Sequence, residues 1–369
     1  LASLNAAIKV NAHPEYKAQP DLLGLLAPDD TDHAEQQSAR LSARKFTGKI
    51  KRNWRVTSYT ALSHTQQSRD EMVLPRLDLE AALDQNIDLN SSTVAATEAQ
   101  EQDAHTIFTF PKGAKAGTFL HTLFETIDFT HVPDDLLIPH IQSLLDEQGY
   151  EAHWLPVLVD LVRQVLHAPL PCYENSAEEI QPSLLNPPLA SSQSSDEFMR
   201  LGDIDNQARL VEMEFMLSVD NLKGTALSQL CQRLDSLSAQ APSFTFDSTT
   251  GLLKGFIDLT FRHQGKYYIL DYKSNYLGDQ PSAYSKAAMG EAMLDHRYDL
   301  QYQIYALALH RLLAQRLPHY DYEQHFGGVI YLFLRGINAD NTLENNPGVW
   351  TTRPSLSLVQ SLDRMFGGE

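Results

Sequence analysis

The stretch Gly255-Phe256-Ile257-Asp258-Leu259-Thr260-Phe261-Arg262-His263-Gln264-Gly265-Lys266-Tyr267-Tyr268-Ile269-Leu270-Asp271-Tyr272-Lys273 reads as two strands joined by a tight turn. With Gln264-Gly265 as the turn, His263 pairs with Lys266, and counting outward sets Asp258 directly opposite Asp271. A four-residue loop keeps that register, whereas a three-residue loop breaks it. Alternation then places Ile257, Leu259, Phe261, Tyr268, Leu270 and Tyr272 on one apolar face, and Asp258, Asp271 and Lys273 on the other. The two carboxylates are thus about 5 Å apart at their Cβ atoms, with an amine one step further along.

Like charges directly opposed across strands destabilise a sheet, so something has to offset them. One answer is a solvent-facing hairpin in which Lys273 relieves the Asp pair as an ordinary ion-pair cluster. The other is a divalent cation. Hard oxygen ligands suit Mg²⁺, and two carboxylates leave positions for water and a phosphate oxygen. Lys273 would then stand beside the metal, where it could hold an attacking water or offset charge building on phosphorus.

Outward from the hairpin, apolar residues at helical spacing predict helices over 119–127, 136–145 and 155–166. A Pro/Ser-rich stretch at 181–195 interrupts the pattern. A strand over 210–219, a helix over 222–234, the hairpin, a long helix over 298–317, a strand over 328–334 and a closing helix over 355–366 follow. This alternation predicts an α/β fold, a mixed central sheet flanked by helices with the hairpin carrying the site. His121 and Glu125 share one face of a helix, at i and i+4. Glu212 and Glu214 lie two apart on a strand and point to one face, opposite Met213 and Phe215. Gln301 and Tyr305, at i and i+4, can point together at a neighbouring sheet. Tyr284 and Tyr298 are candidates for stacking on bases of single-stranded DNA. The run Gly113-Ala114-Lys115-Ala116-Gly117-Thr118 fails the spacing of a phosphate loop and reads as a helix start.

The 369 residues carry 29 Lys and Arg against 47 Asp and Glu, a formal charge of −18, with 43% hydrophobic residues. That composition excludes wholesale disorder and argues against a free-standing nucleic-acid binder, because neutralising phosphates takes Lys and Arg. It does not exclude a chain that meets phosphates through metal ions or shares a DNA path with partners. Cys172 and Cys231 are too few and too far apart for a disulfide framework, a zinc knuckle or an iron–sulfur cluster, and a reducing cytoplasm is the expected compartment. No apolar run approaches the roughly 18 residues of a membrane span, and no membrane partner is expected. The start at Leu1 rather than Met is read as a fragment of a longer chain, with a processed or trimmed protein as the alternative. Seven basic residues (Arg40, Arg44, Lys45, Lys49, Lys51, Arg52, Arg55) and no acid occupy 40–55, a solvated face or a phosphate contact. The polar stretch that follows, with scattered carboxylates and weak periodicity, reads as a linker.

Gly255-Phe256-Ile257-Asp258, thirteen residues before Asp271-Tyr272-Lys273, resembles the Asp…(Asp/Glu)-x-Lys core of the PD-(D/E)xK nuclease superfamily. The wording here, with Gln301-Tyr302-Gln303-Ile304-Tyr305 and His325-Phe326-Gly327-Gly328-Val329-Ile330-Tyr331-Leu332-Phe333-Leu334-Arg335-Gly336, looks like the nuclease domains of the RecB family within it. The resemblance covers about 107–368 and is most specific over 251–336. It implies a restriction-endonuclease-like fold and Mg²⁺-dependent hydrolysis of DNA, with Mn²⁺ as a substitute and Ca²⁺ inhibitory. It implies that His121, Asp258, Asp271 and the Tyr272 backbone carbonyl hold the metal, that Asp258, Asp271 and Lys273 are catalytic, and that Gln301 and Tyr305 brace the site. It also implies an active-site Glu on the preceding strand, with Glu212 favoured and Glu214 nearly as good. Residues 1–65, containing Trp54-Arg55-Val56-Thr57-Ser58-Tyr59, resemble the end of a helicase motor domain. An acidic linker over 66–105 and a nuclease domain over 106–369 follow. No ATP-site motif is present, so any ATP use belongs to chain before Leu1. DNA and RecC-like and RecD-like subunits are the partners such a family implies. A non-catalytic module that keeps this fold as a DNA or protein clamp, and a phosphate-binding ATPase fragment, are the rivals.

Overall fold

The computed structural model describes residues 54–58, 62, 105–130, 133–172 and 198–367. The basic run apart from Arg55, the linker apart from His105, and the Pro/Ser-rich stretch lie outside the described residues. Eight strands and eight helices can be named among the described residues. They are β1 (Trp54–Thr57), α1 (Ala114–Thr126), α2 (Asp134–Gln148), α3 (Leu155–His167), β2 (Leu170–Pro171), β3 (Phe198–Met199), β4 (Arg209–Leu222) and α4 (Gly224–Leu234). After them come β5 (Thr249–His263), β6 (Lys266–Lys273), α5 (Lys286–Asp295), α6 (Tyr298–Arg316), α7 (Tyr322–His325), β7 (Phe326–Phe333), β8 (Val349–Thr352) and α8 (Leu356–Met365).

Six strands make one mixed sheet in which β5, β6, β7 and β8 are successive neighbours, while β4 and β1 both pair with β5. The β4–β5, β5–β6 and β7–β8 pairs are antiparallel, and β6–β7 and β1–β5 are parallel. Apolar clusters cover both faces. On one, Leu259, Phe261, Tyr268, Leu270 and Tyr272 pack with α1, α2 and α3. On the other, Ile269, Tyr331 and Phe333 pack with α4, α5, α6 and α8. Double coverage explains why β7 is buried along its whole length, Phe-Gly-Gly-Val-Ile-Tyr-Leu-Phe, rather than alternating.

The hairpin forms in the expected register. Gln264 and Gly265 have φ of 47° and 81°, the two positive values of a type I′ turn, and the ladder runs from His263↔Lys266 to Leu259↔Leu270. One face assignment changes. Ile257 leaves the cluster that holds Leu259 and joins the one containing Met213, its partner on β4. The cause is local: Glu212, between Val211↔Leu259 and Met213↔Ile257, has a left-handed φ of 55°, which breaks the regular alternation beside Asp258.

The segment Trp54–Thr57, inside the stretch likened to a motor domain, lies alongside the sheet as β1. Its register runs from Trp54↔Thr250 to Thr57↔Leu253, and Arg55 Nη2 donates to Thr249 Oγ1 at 2.9 Å. Gly251 permits that approach: with φ 143°, a Cβ there would lie 1.8 Å from the Arg55 carbonyl oxygen.

Candidate active site

Asp258 and Asp271 sit where β5 and β6 part. The last paired residues are Leu259 and Leu270, and one step beyond them the Asp258 carboxylate takes over the work of the ladder: Tyr272 N–H donates to Asp258 Oδ2 at 2.9 Å. The same oxygen is 3.3 Å from Nδ1 of His121, carried on the inner face of α1. On β6, the Lys273 ammonium lies 2.7 Å from Asp271 Oδ1. Asp258, Asp271 and Lys273 are 3%, 1% and 3% exposed, which removes the solvent-facing ion-pair cluster as an explanation.

Burial of these charges demands compensation. Neither Asp271 oxygen accepts a hydrogen bond of normal geometry, although Nζ approaches one of them closely. Loss of solvent, and then the charge of Asp258, push the Asp271 carboxyl up to about 7, against the opposing pull of Lys273 and His121. A buried, electron-rich oxygen without a donor, next to a second carboxylate, is the environment a hard cation relieves. Among the described residues no three His, Cys, Asp or Glu side chains stand as a ready-made cage. Two carboxylates with a nearby backbone carbonyl nonetheless fit Mg²⁺, which binds through one or two carboxylates and keeps several waters.

The remaining candidates divide. Glu214 is exposed and paired with Lys254 at 2.8 Å on the surface, whereas Glu212 is half-buried at the strained position flanking Asp258. Gln301 and Tyr305 lie together on α6: Gln301 Nε2 donates to Tyr305 Oη at 3.0 Å and its Oε1 accepts from Tyr331 Oη at 2.8 Å. Tyr331 is the parallel neighbour of Asp271 on β7, so this chain of bonds reaches the wall of the site. The Tyr272 ring stacks on Phe124 of α1 at 4.9 Å, which ties the β6 backbone to the helix that carries His121. Tyr284 and Tyr298 are fully buried, so neither is available to stack on a base. The packing that buries them is the core between the sheet and α5 and α6.

Three neighbours hold places at the site that the sequence did not assign to them. Tyr331 and Tyr298 flank Lys273, with ring centroids 5.5 Å and 3.9 Å from the ammonium. Arg335, beyond β7, donates to the carbonyls of Ser274, Ile107, Phe110 and Pro111 and so joins the end of β6 to the segment leading into α1. The spacing of Tyr298, Gln301 and Tyr305 at i, i+3 and i+7 is a signal that could have found Tyr298. The parallel β6–β7 register leaves none for Tyr331.

A family model described as the PD-(D/E)XK nuclease superfamily matches residues 101–360. Among curated proteins, the chain is 40% identical over 333 residues to the RecBCD enzyme subunit RecB of Escherichia coli (strain K12), covering 90% of this chain and 25% of that protein. It is 34% identical over 364 residues to the same subunit of Haemophilus influenzae, covering 97% of this chain and 26% of that protein. The Mycolicibacterium smegmatis subunit is 28% identical over 377 residues, with 95% and 32% covered. The chain therefore spans about a quarter to a third of the length of these relatives. A family match over most of the chain, on a mixed sheet whose hairpin brings Asp258, Asp271 and Lys273 together, establishes that this chain belongs to the PD-(D/E)XK nuclease superfamily.

Proposed function

We propose that this chain hydrolyses DNA phosphodiester bonds with Mg²⁺, as the nuclease part of a larger helicase-nuclease that acts in double-strand-break repair and recombination. The observation that carries the reading is the buried trio itself: two adjoining carboxylates, one with oxygens that accept no regular hydrogen bond, and an ammonium 2.7 Å away. His121, Asp258, Asp271 and the Tyr272 carbonyl would hold the cation. When bound, Mg²⁺ lowers the pKa of a coordinated water and polarises a phosphate oxygen. Lys273 orients the nucleophile and offsets charge developing on phosphorus. Glu212 is the acidic residue of β4 that acts there. Gln301, through Tyr331 and Tyr305, holds the wall of the site in place. Mn²⁺ substitutes and Ca²⁺ inhibits.

In the same reading, residues 1–65 end a motor domain, 66–105 tether it, and 106–369 form the nuclease domain, with Trp54–Thr57 reaching the nuclease sheet. ATP serves only the motor part. RecC-like and RecD-like subunits deliver single strands to a chain whose own charge of −18 repels DNA, in the cytoplasm. No helix among the described residues is long and apolar enough to cross a membrane. The test is degradation of single-stranded DNA with Mg²⁺ or Mn²⁺, compared with Asp271→Ala. Loss of cleavage in the variant is expected, and equal cleavage removes the site.

A further inference from the structure

The ammonium of Lys273 is held from two sides by unlike groups. Asp271 Oδ1 is at 2.7 Å, and the face of the Tyr298 ring is 3.9 Å away at its centroid. The ring is itself fixed in a stack: His296 lies on it at 5.2 Å and 14°, and Tyr331 at 5.9 Å and 27°. Its hydroxyl donates to Asn275 Oδ1 at 3.5 Å. Tyr298 begins α6, three residues before Gln301, and is 1% exposed.

These two contacts respond differently to a cation. A cation held by Asp271 would draw on the charge that now faces Lys273, whereas the negative face of a ring would keep its attraction for the ammonium. In a site this dry, the attraction between an ammonium and an aromatic face is at its strongest. From this juxtaposition we propose that Tyr298 is a positioning residue for Lys273: its ring face, not its hydroxyl, fixes the ammonium during the reaction. This rests on the reading of Lys273 as a catalytic group. In this role Tyr298 acts through the lysine it faces.

The experiment uses the full-length protein and a single-stranded DNA substrate. Tyr298→Phe, which keeps the ring, is expected to retain kcat within about twofold, and Tyr298→Leu to lower kcat roughly tenfold with KM and the Mg²⁺ half-saturation unchanged. Phenylalanines carrying one, two and three ring fluorines at position 298 keep the shape and drain the face of charge, so kcat is expected to fall stepwise. In metal-free protein, the Lys273 Cε proton resonance is expected upfield from the ring current, kept in Tyr298→Phe and lost in Tyr298→Leu. A flat fluorine series overturns the proposal and does so even if Tyr298→Leu fails to fold. A Tyr298→Phe variant as slow as Tyr298→Leu also overturns it, by assigning the effect to the hydroxyl. Wild-type protein that cleaves nothing with Mg²⁺ would instead overturn the nuclease reading beneath it.

Discussion

Asp271 meets two opposed demands. Its place beside Asp258 at the parting of β5 and β6 suits a cation, and without one the folded chain must bury a carboxylate that water would solvate. With the folded pKa raised to about 7 and an unfolded value near 3.9, the native state holds the proton more tightly than the unfolded state. The contribution of Asp271 to stability is therefore most favourable below about pH 4 and is lost as pH rises to about 7, by on the order of 4 kcal/mol at the upper limit. Asp271→Asn removes the titration. In protein stripped of divalent cations, the variant is expected to gain stability over wild type progressively from pH 4 to 7, with a plateau above. Urea denaturation across that range measures it, and a difference that does not vary with pH would refute the account. Mg²⁺ at pH 8 should erase the gain by stabilising wild type alone.

Among the elements, the connection between β6 and α1 matters most, because His121 is on one and Asp271 on the other. Arg335 makes that connection with a single guanidinium shared by the carbonyls of Ser274, Ile107, Phe110 and Pro111. Burial draws its pKa down, yet four carbonyl dipoles face the charge. Removing the side chain leaves those acceptors in a dry interior, so Arg335→Ala is expected to lose about 2–4 kcal/mol of stability. Lysine keeps the charge but lacks the planar fork, and Arg335→Lys should recover only part of the loss. Equilibrium unfolding of the two variants decides this. Alanine within about 0.5 kcal/mol of wild type would show that the carbonyls find other partners.

At the scale of the molecule, two apolar clusters grip the sheet from opposite faces, and the site lies between them. The buried Cys231 on α4 reports on the second cluster, because burial pushes its thiol up, well above the ordinary range, and only Cys172 has exposed surface. A thiol reagent is expected to label one cysteine in the native protein and both in denaturant, as a titration with a chromogenic disulfide would count. Rapid labelling of Cys231 in native protein would contradict the packing. The hairpin was legible along the chain because strand alternation and a Gln264-Gly265 turn are local, and that register sets Asp258 and Asp271 side by side one step beyond the last ladder pair. The helices α4, α6 and α8 were also legible from local sequence, whereas α5 and the short α7 were not. The burial of that hairpin was not legible, since solvent exposure depends on which helices cover the sheet, and neither was the distorted alternation at Glu212, which follows from β4 meeting β5 beside the site. Nor were the parallel pairing of β6 with β7 that brings Tyr331 to Lys273, the joining of Trp54–Thr57 to the sheet, and the reach of Arg335 to residues more than two hundred positions away. Contacts between strands or loops distant in sequence carry no local period, so only the folded chain decides them.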